Sequence, residues 1–285
     1  MRPDDIPGAV ALCRASRWNQ TDREWQLFLT IAPKGAMVAD LEGTVVGTAV
    51  TVPYEPGVAW IAMVLVDPAR RGGGIGRALL RAAIDHAPAG STAALDATPA
   101  GRGLYLSLGF EDVWTMTRYR ARRDRFEPAV AGSAAGGVVE AASPRDLEDL
   151  VAVDRRAFGA DRRAVIEWYW RQAPDRAWVS RDALDASGAG AVTGFALARP
   201  GHDADHVGPI VACSTAEAIA LASTAISHAA APAVIVDVPD RHAGLREWLT
   251  SRGFAVERPL TRMRRGSGVA GLPEHLFAIA GPELG

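Results

Sequence analysis

A loop rich in glycine and arginine, residues 71–77, has the most distinctive chemistry in this sequence. It follows the apolar run 61–66, which predicts a strand buried on both faces, and it precedes a helix with Leu79 and Leu80 on one side. The N-terminus of a helix attracts anions through its free N–H groups and its dipole, and glycines let a phosphate approach the backbone. The loop therefore predicts a phosphate site formed by Arg71, Gly72, Gly73, Gly74, Ile75, Gly76 and Arg77.

Two common phosphate-binding motifs do not fit this loop. The loop lacks the third glycine that the dinucleotide fingerprint G-x-G-x-x-G requires in register. It also lacks the lysine and the hydroxyl residue that should follow Gly76 in a P-loop. The remaining pattern is Arg71-x-x-Gly74-x-Gly76, preceded by Val66-x-Pro68. It resembles the pyrophosphate-binding motif of the GNAT (GCN5-related) N-acetyltransferases, and this resemblance implies acetyl-CoA as the cofactor.

A second match to the same family lies about one strand and one turn later in the chain. Residues 104–110 fit its pattern L-Y-x-x-x-G-F, in which the tyrosine gives a proton to the departing CoA sulfur, so Tyr105 is the candidate general acid. The resemblance also implies that the pantetheine arm pairs with Leu65 and Val66. The family often has an asparagine seven residues before the tyrosine; here it is Thr98, which can make one comparable hydrogen bond.

The residues that act on the acceptor amine are less well defined. Glu55 is the first candidate for the general base, because bases of the resembled family often lie just ahead of this strand, and Asp96 is the second. The family's fold places the segment between its first two helices over the acceptor site, and here that segment has a tryptophan beside two amides. The candidate acceptor-binding residues are Trp18, Asn19, Gln20, Tyr54 and Trp60.

The second half of the chain repeats the first in outline. Residues 234–239 match 94–99, and residues 249–254 match 105–110. The resemblance therefore implies an α/β fold with two tandem GNAT-like mixed-sheet domains, the acyl-CoA N-acyltransferase fold. We expect a catalytic domain over residues 1–121, a linker over 122–137, a degenerate GNAT-like domain over 138–266 and a tail over 267–285.

The two copies differ in their chemistry. The second has residues 213–217, without glycine or arginine, in place of the loop, and Leu249 in place of Tyr105. Glu217 near the start of a helix would repel a pyrophosphate. We therefore expect the second copy to have lost acetyl-CoA binding and catalysis.

Four expectations concern individual elements. Almost nothing precedes the first helix, so the first strand of the N-terminal domain should be missing or shortened. A short helix is expected over residues 103–108, and residues 111–120 should form the closing strand of the first domain. The tail segment 276–280 is expected to pair as an edge strand between the domains.

Composition excludes several functional classes. A net charge of −2 and a pI near 6.3 argue against nucleic-acid binding. No apolar run reaches membrane-spanning length, and no secretory segment precedes the first helix, so a cytoplasmic protein without membrane partners is expected. Cys13 and Cys213 show no metal-binding or disulfide spacing and are expected to be buried. No metal site is predicted.

The leading hypothesis is an acetyl-CoA-dependent N-acetyltransferase that transfers an acetyl group to the amine of a small molecule and is a monomer or homodimer. The alternative from another class is a non-catalytic sensor or interaction protein that binds acyl-CoA. A weaker enzymatic alternative acetylates protein amino groups.

Overall fold

The chain forms two compact units, and each takes residues from both halves of the sequence. The computed structural model describes residues 1–126, 138–182, 190–268 and 271–285. The first unit contains Met1–Val113, Thr261–Val269 and Pro282–Leu284; the second contains Trp114–Leu260, Ala270–Gly281 and Gly285. This division differs from the predicted boundaries at residues 121, 137 and 266. Most of the predicted linker, residues 127–137, lies outside the described residues.

The first half of the chain alternates helices with strands. Its elements are α1 (Ile6–Ala15), α2 (Asp22–Ile31), β1 (Ala36–Leu41), β2 (Thr44–Tyr54), β3 (Val58–Val66), α3 (Ile75–Asp85), β4 (Thr92–Ala97), α4 (Pro99–Leu106) and β5 (Glu111–Arg122).

The second half follows the same order after an additional strand. Its elements are β6 (Val138–Ala141), α5 (Leu147–Phe158), α6 (Arg163–Gln172), β7 (Ala177–Arg181), β8 (Val192–Arg199), β9 (Asp205–Val211), α7 (Thr215–Ser227), β10 (Ala233–Pro239), α8 (Ala243–Ser251), β11 (Ala255–Arg265) and β12 (Leu276–Ala278). β6 precedes α5, whereas Pro3–Asp5 form a short 3₁₀ turn before α1.

Local sequence signals explain several element boundaries in the first unit. Glu42 and Gly43 both have positive φ, as a two-residue hairpin turn between β1 and β2 requires. The Thr21 hydroxyl and the Glu24 carboxylate cap the start of α2. α4 begins at Pro99, four residues before the predicted start, because the Thr98 side chain accepts a hydrogen bond from the Gly101 N–H and proline suits the first helical position.

The sheet of the first unit has the order β1-β2-β3-β4-β11, and only the β3–β4 pair is parallel. Its last strand comes from the C-terminal half, with Thr261–Arg265 of β11 antiparallel to β4. The prediction that residues 111–120 close the first domain was therefore wrong, since β5 pairs antiparallel with β10 in the second unit. Buried ion pairs accompany both pairings: Arg262 with Asp96 on β4, and Arg118 with Asp237 on β10.

The sheet of the second unit has the order β5-β10-β9-β8-β7-β6. β12 pairs antiparallel with β9, and the Ile279 N–H donates to the Asp237 carbonyl of β10. The tail strand therefore lies inside this sheet, not at an edge between the domains as predicted. The Leu276–Ala278 backbone can join it because β9 and β10 separate there.

Each unit has its own apolar core. In the first, Leu79, Leu80 and Ala83 of α3 pack against Ile61 and Leu95 of the sheet. In the second, α7 and α8 pack on β9 and β10 together with β12. Among the described residues, no helix is both long enough and apolar enough to cross a membrane.

Candidate functional site

The site begins where two parallel strands of the first unit separate. β3 and β4 pair through Val58 with Thr92, Ala59 with Ala93 and Trp60 with Ala94, and the pairing ends there. Residues 61–66 of β3 continue along β2 on their other edge. Their edge toward β4 has no strand partner in the described part of the chain. The fork that results opens toward the carboxyl ends of both strands, where ligands bind in α/β sheets.

A bulge in β3 accompanies the separation. Val50 pairs with Ala62 and Thr48 with Leu65, so β3 has one extra residue between these positions. Met63 adopts a φ of 52°, a left-handed conformation that is unfavourable for a side chain of this size. The buried Thr48 hydroxyl donates a 2.7 Å hydrogen bond to the Met63 carbonyl. Thr48 therefore fixes the backbone at the position where β3 leaves β4.

The glycine loop lies at the open end of the fork. Gly72 and Gly74 have φ values of 84° and 86°, and a Cβ atom on either would point into open space. Gly74 is the N-cap of α3 and has no capping side chain, so the first N–H groups of this helix are available to an anion. The Arg71 Nε donates to the Val66 carbonyl at 3.2 Å, which places this guanidinium at the end of β3. The predicted phosphate site and the predicted pantetheine edge, Leu65 and Val66, are thus continuous.

α4 lies beside the same loop. The Arg77 Nη2 donates to Ser107 Oγ at 3.1 Å, and the side chain of Leu104 approaches Gly76. Tyr105 on this helix is half-buried and contacts Phe110 edge to face, with 6.1 Å between ring centroids. Burial raises the pKa of Tyr105 to about 12, so the phenol keeps its proton at neutral pH. Its hydroxyl makes no hydrogen bond to the residues that the structure describes.

The hydroxyl of Thr98, the other residue predicted here, is used within the protein. It caps α4 by accepting from the Gly101 N–H at 3.3 Å. Position 101 favours glycine, because a Cβ atom there would lie 3.0 Å from the Tyr105 ring. Together these two residues set the position of Tyr105.

The two candidate bases lie in different surroundings. Glu55 is exposed in the turn between β2 and β3, at the opposite end of β3 from Leu65. At about 3.3 Å per residue, roughly 20 Å of strand separates the two, so the structure does not bring Glu55 together with Tyr105 or the loop. Both oxygens of Asp96 accept hydrogen bonds from Arg262, each at 2.8 Å, within a buried ion pair.

The candidate acceptor residues separate into two groups. Asn19 and Gln20 are buried, and the Arg14 guanidinium fixes their segment by donating to the Trp18 and Gln20 carbonyls. Gln20 Oε1 is buried and has no hydrogen-bond partner among the described residues. Tyr54 and Trp60 form the other group, which binds residues of the C-terminus.

Tyr54 and Trp60 are both buried under the C-terminal residues of the first unit. The Tyr54 hydroxyl donates to the Leu284 carbonyl at 3.2 Å, and Trp60 Nε1 donates to the Pro282 carbonyl at 3.1 Å. The Arg262 guanidinium lies 4.6 Å from the centroid of the Trp60 ring. The two rings therefore anchor a chain segment in this structure.

The corresponding loop of the second unit has no glycine and contains a carboxylate. The Cys213 N–H donates to Glu217 Oε2 at 2.6 Å, and Ser214 caps α7. Cys213 is exposed, so the prediction that both cysteines are buried was wrong for this one. It lies in the loop after β9, whereas Cys13 packs inside the first unit, where burial raises the pKa of its thiol to about 12. No cluster suited to a metal ion occurs among the described residues.

Sequence reasoning missed two residues that shape the fork. Thr48 carries no local signal, because its role depends on pairing with a strand fifteen residues away. Gly47 did carry one, since an isolated glycine within a strand often marks a close approach. A Cβ atom at Gly47 would lie 2.8 Å from Leu79 Cδ1 and 3.0 Å from the Leu65 carbonyl oxygen. Gly47 therefore lets α3 pack closely on β2, beside the β3 residue Leu65.

Comparison with known proteins is consistent with this geometry. Residues 10–110 match the acetyltransferase (GNAT) family, and residues 150–278 match an acetyltransferase (GNAT) domain. The chain is 25% identical over 227 residues to YitH of Bacillus subtilis, an uncharacterized N-acetyltransferase, across 79% of this chain and 76% of that protein.

Two solved structures show the same overall fold. A putative acetyltransferase from Pyrococcus horikoshii has a TM-score of 0.81 at 24% identity and covers 100% of this chain and 94% of its own. A tandem GNAT protein from the clavulanic acid biosynthesis pathway has a TM-score of 0.63 at 17% identity, covering 94% of this chain and 95% of its own. The two matched regions together span most of the sequence. The chain therefore belongs to the GNAT acetyltransferase family and contains two of its domains in tandem.

Proposed function

We propose that the first unit is an acetyl-CoA-dependent N-acetyltransferase site that acts on the amine of a small molecule. The fork between β3 and β4 carries this proposal. It presents a strand edge that no described strand pairs with, and this edge leads directly to the glycine loop and to the helix of Tyr105. An elongated ligand with amide groups at one end and phosphates at the other suits such a site.

The described residues fit acetyl-CoA at two points. The free edge of residues 63–66 offers backbone N–H and C=O groups to an amide-containing arm, as another strand would. The loop offers the N–H groups of a helix start, with Arg71 and Arg77 beside them, to a pyrophosphate. When bound, acetyl-CoA supplies an acetyl group activated as a thioester.

The roles of the protein groups follow from their positions. A backbone N–H near the bulge at Met63 would stabilise negative charge on the thioester oxygen. As the new N–C bond forms and the C–S bond breaks, Tyr105 would give its proton to the sulfur. Because Arg262 binds Asp96 and Glu55 lies at the far end of β3, we propose that the acceptor amine loses its proton to water rather than to a carboxylate.

The segment 18–20 supports a small, polar acceptor. Arg14 holds this segment in place, and Gln20 Oε1 is a buried hydrogen-bond acceptor without a partner among the described residues. Burying such a group costs free energy unless a donor reaches it, and an amine N–H is a suitable donor. We therefore assign acceptor binding to Trp18, Asn19 and Gln20.

The proposal is tested by measuring CoA release from acetyl-CoA with a panel of small primary amines. Arg71→Ala should raise KM for acetyl-CoA by about 10-fold with little change in KM for the amine, because a charge-assisted contact to phosphate is worth about 1.5 kcal/mol or more. Arg81→Ala is the matched control, since Arg81 is an exposed arginine on α3, the helix that follows the loop. Tight acetyl-CoA binding without turnover of any amine would contradict the proposal and favour a sensor.

A further inference from the structure

The second unit contains a fork like that of the first. β9 and β10 pair in parallel only through Asp205 with Val234 and His206 with Ile235. The parallel pairing ends there, just as that of β3 and β4 ends after three pairs. β3 and β4 in the first unit, like β9 and β10 in the second, therefore separate toward their carboxyl ends.

The fork of the second unit is filled by the protein's own tail. β12 pairs antiparallel with the end of β9, with Leu276 opposite Val211 and Ala278 opposite Ile210. These two β9 residues also pair with β8 on their other edge, so β12 lies on the edge that β10 has left. On its far side, the Ile279 N–H donates to the Asp237 carbonyl of β10 at 3.1 Å. The tail thus bonds to both walls of the fork.

Side-chain contacts hold the tail in this position. The His242 ring stacks on Phe277, with 3.9 Å between ring centroids, and its Nε2 lies 2.9 Å from the Leu276 carbonyl oxygen. A Cβ atom at Gly208 would lie 2.1 Å from the Ile279 carbonyl oxygen. Residues 276–280 are all at most 4% exposed. The tail is therefore packed as part of the core.

A carboxylate occupies the place that corresponds to the phosphate site. Glu217 in the first turn of α7 is 4% exposed, and its Oε2 accepts from the Cys213 N–H, in the loop after β9, at 2.6 Å. Its Oε1 accepts from the hydroxyls of Ser180 and Thr193. Glu217 was expected to repel a pyrophosphate, and the structure shows that its carboxylate accepts from three donors, which are therefore not available to another anion.

We propose that the second unit is a cofactor-type site closed from within, in which residues 276–279 take the place of the pantetheine arm and the Glu217 carboxylate takes the place of a phosphate. The chain therefore binds one acyl-CoA molecule, in its first unit. This inference rests on the proposed function only for the occupant of the first fork. The filling of the second fork is supported independently by its own hydrogen bonds.

The number of binding sites tests the first part of this proposal. Isothermal titration of the full chain with CoA should give one site, and Gly74→Glu, which places a carboxylate in the loop of the first unit, should remove it. Two sites in the wild type, or a site that persists in Gly74→Glu, would overturn the proposal. No binding at all would instead refute the proposed function of the first unit, and the exchange experiment below would still decide whether the tail fills the second fork.

Hydrogen exchange of the full chain tests the second part. The amides of residues 276–279 should exchange as slowly as those of β9, and fast exchange would show that the tail is not held in the fork. Gly208→Ala should speed their exchange at least 10-fold, because the new methyl group collides with Ile279. Gly90→Ala is the matched control, since Gly90 also has a positive φ but faces open space. Unchanged tail exchange in a folded Gly208→Ala variant would also overturn the proposal.

Discussion

The phenol of Tyr105 keeps its proton well above neutral pH, because burial raises its pKa to about 12. A group whose pKa is raised in this way remains a proton donor until the pH approaches that value. Tyr105 therefore adds no descending limb to the pH profile of kcat below about pH 10, and activity in that range should follow deprotonation of the acceptor amine.

Tyr105→Phe should lower kcat by about 100-fold and leave KM for acetyl-CoA nearly unchanged, because it removes a proton donor but keeps the ring packing. Steady-state kinetics between pH 7 and 10 measures both effects. Tyr119→Phe is the control, since its hydroxyl bonds Arg246 in the second unit. Full activity of Tyr105→Phe would remove the phenol from the mechanism.

The ion pair of Arg262 with Asp96 should matter more for stability than for chemistry. The Asp96 side chain is 0% exposed and that of Arg262 is 11% exposed. Arg262→Ala leaves a buried carboxylate without its main partner, so the free energy of unfolding should fall by about 3–5 kcal/mol. Urea denaturation provides the measurement.

Arg264→Ala is the matched control on the same strand. Its ion pair with Glu111 is largely exposed and should contribute at most about 1 kcal/mol. Equal losses in the two variants would show that the Asp96 pair is no more important than a surface contact.

At the scale of elements, β2 bonds two neighbouring elements through buried threonines, and only one of these bonds lies at the fork. The Thr48 hydroxyl donates to Met63 at the bulge, and the Thr51 hydroxyl donates to the Ala83 carbonyl of α3 at 2.8 Å. Thr48→Val and Thr51→Val should each cost about 1–2 kcal/mol of stability. Only Thr48→Val should also raise KM for acetyl-CoA, because it removes the hydrogen bond that holds the bulge in place. Equal increases in KM for acetyl-CoA in the Thr48→Val and Thr51→Val variants would argue against a special role for the bulge.

The elements that the sequence could predict are those formed by neighbouring residues. The loop 71–77 and the Tyr105 helix combine glycines, arginines and apolar spacing within short segments, so their existence could be inferred without knowing the fold. The start of α4 was misplaced because Thr98 acts as a cap, a role that needs a helix to follow. The fork and its bulge depend on which residues of β2, β3 and β4 pair, and this is set by packing between segments rather than by local propensity.

At the scale of the whole molecule, each unit depends on a strand from the opposite half of the sequence. Residues 1–126 alone lack Thr261–Arg265, so the edge of β4 would be unpaired and Asp96 would lose Arg262. This fragment should be insoluble or should unfold without cooperativity. Co-expression with residues 138–285 should restore a soluble complex.

Solubility and urea denaturation monitored by circular dichroism measure this dependence. A fragment of residues 1–126 that unfolds cooperatively, with the midpoint of the full chain, would contradict it. The sequence could not show that β5 joins the sheet of the second unit and β11 that of the first. Residues 111–120 and 255–265 have similar patterns, so either segment could pair with either sheet. Buried charge pairs, Arg118 with Asp237 and Arg262 with Asp96, accompany the observed pairings.

The position of β11 in the sheet of the first unit also affects the order in which the protein folds during synthesis. Domains usually fold in order as they leave the ribosome. Here the first unit needs Thr261–Arg265 and Pro282–Leu284, which are synthesised long after β3 and β4. The site on β3 and β4 can therefore be completed only after these later segments have left the ribosome. Incomplete translation products would contain the glycine loop and Tyr105 but not a finished sheet to hold them.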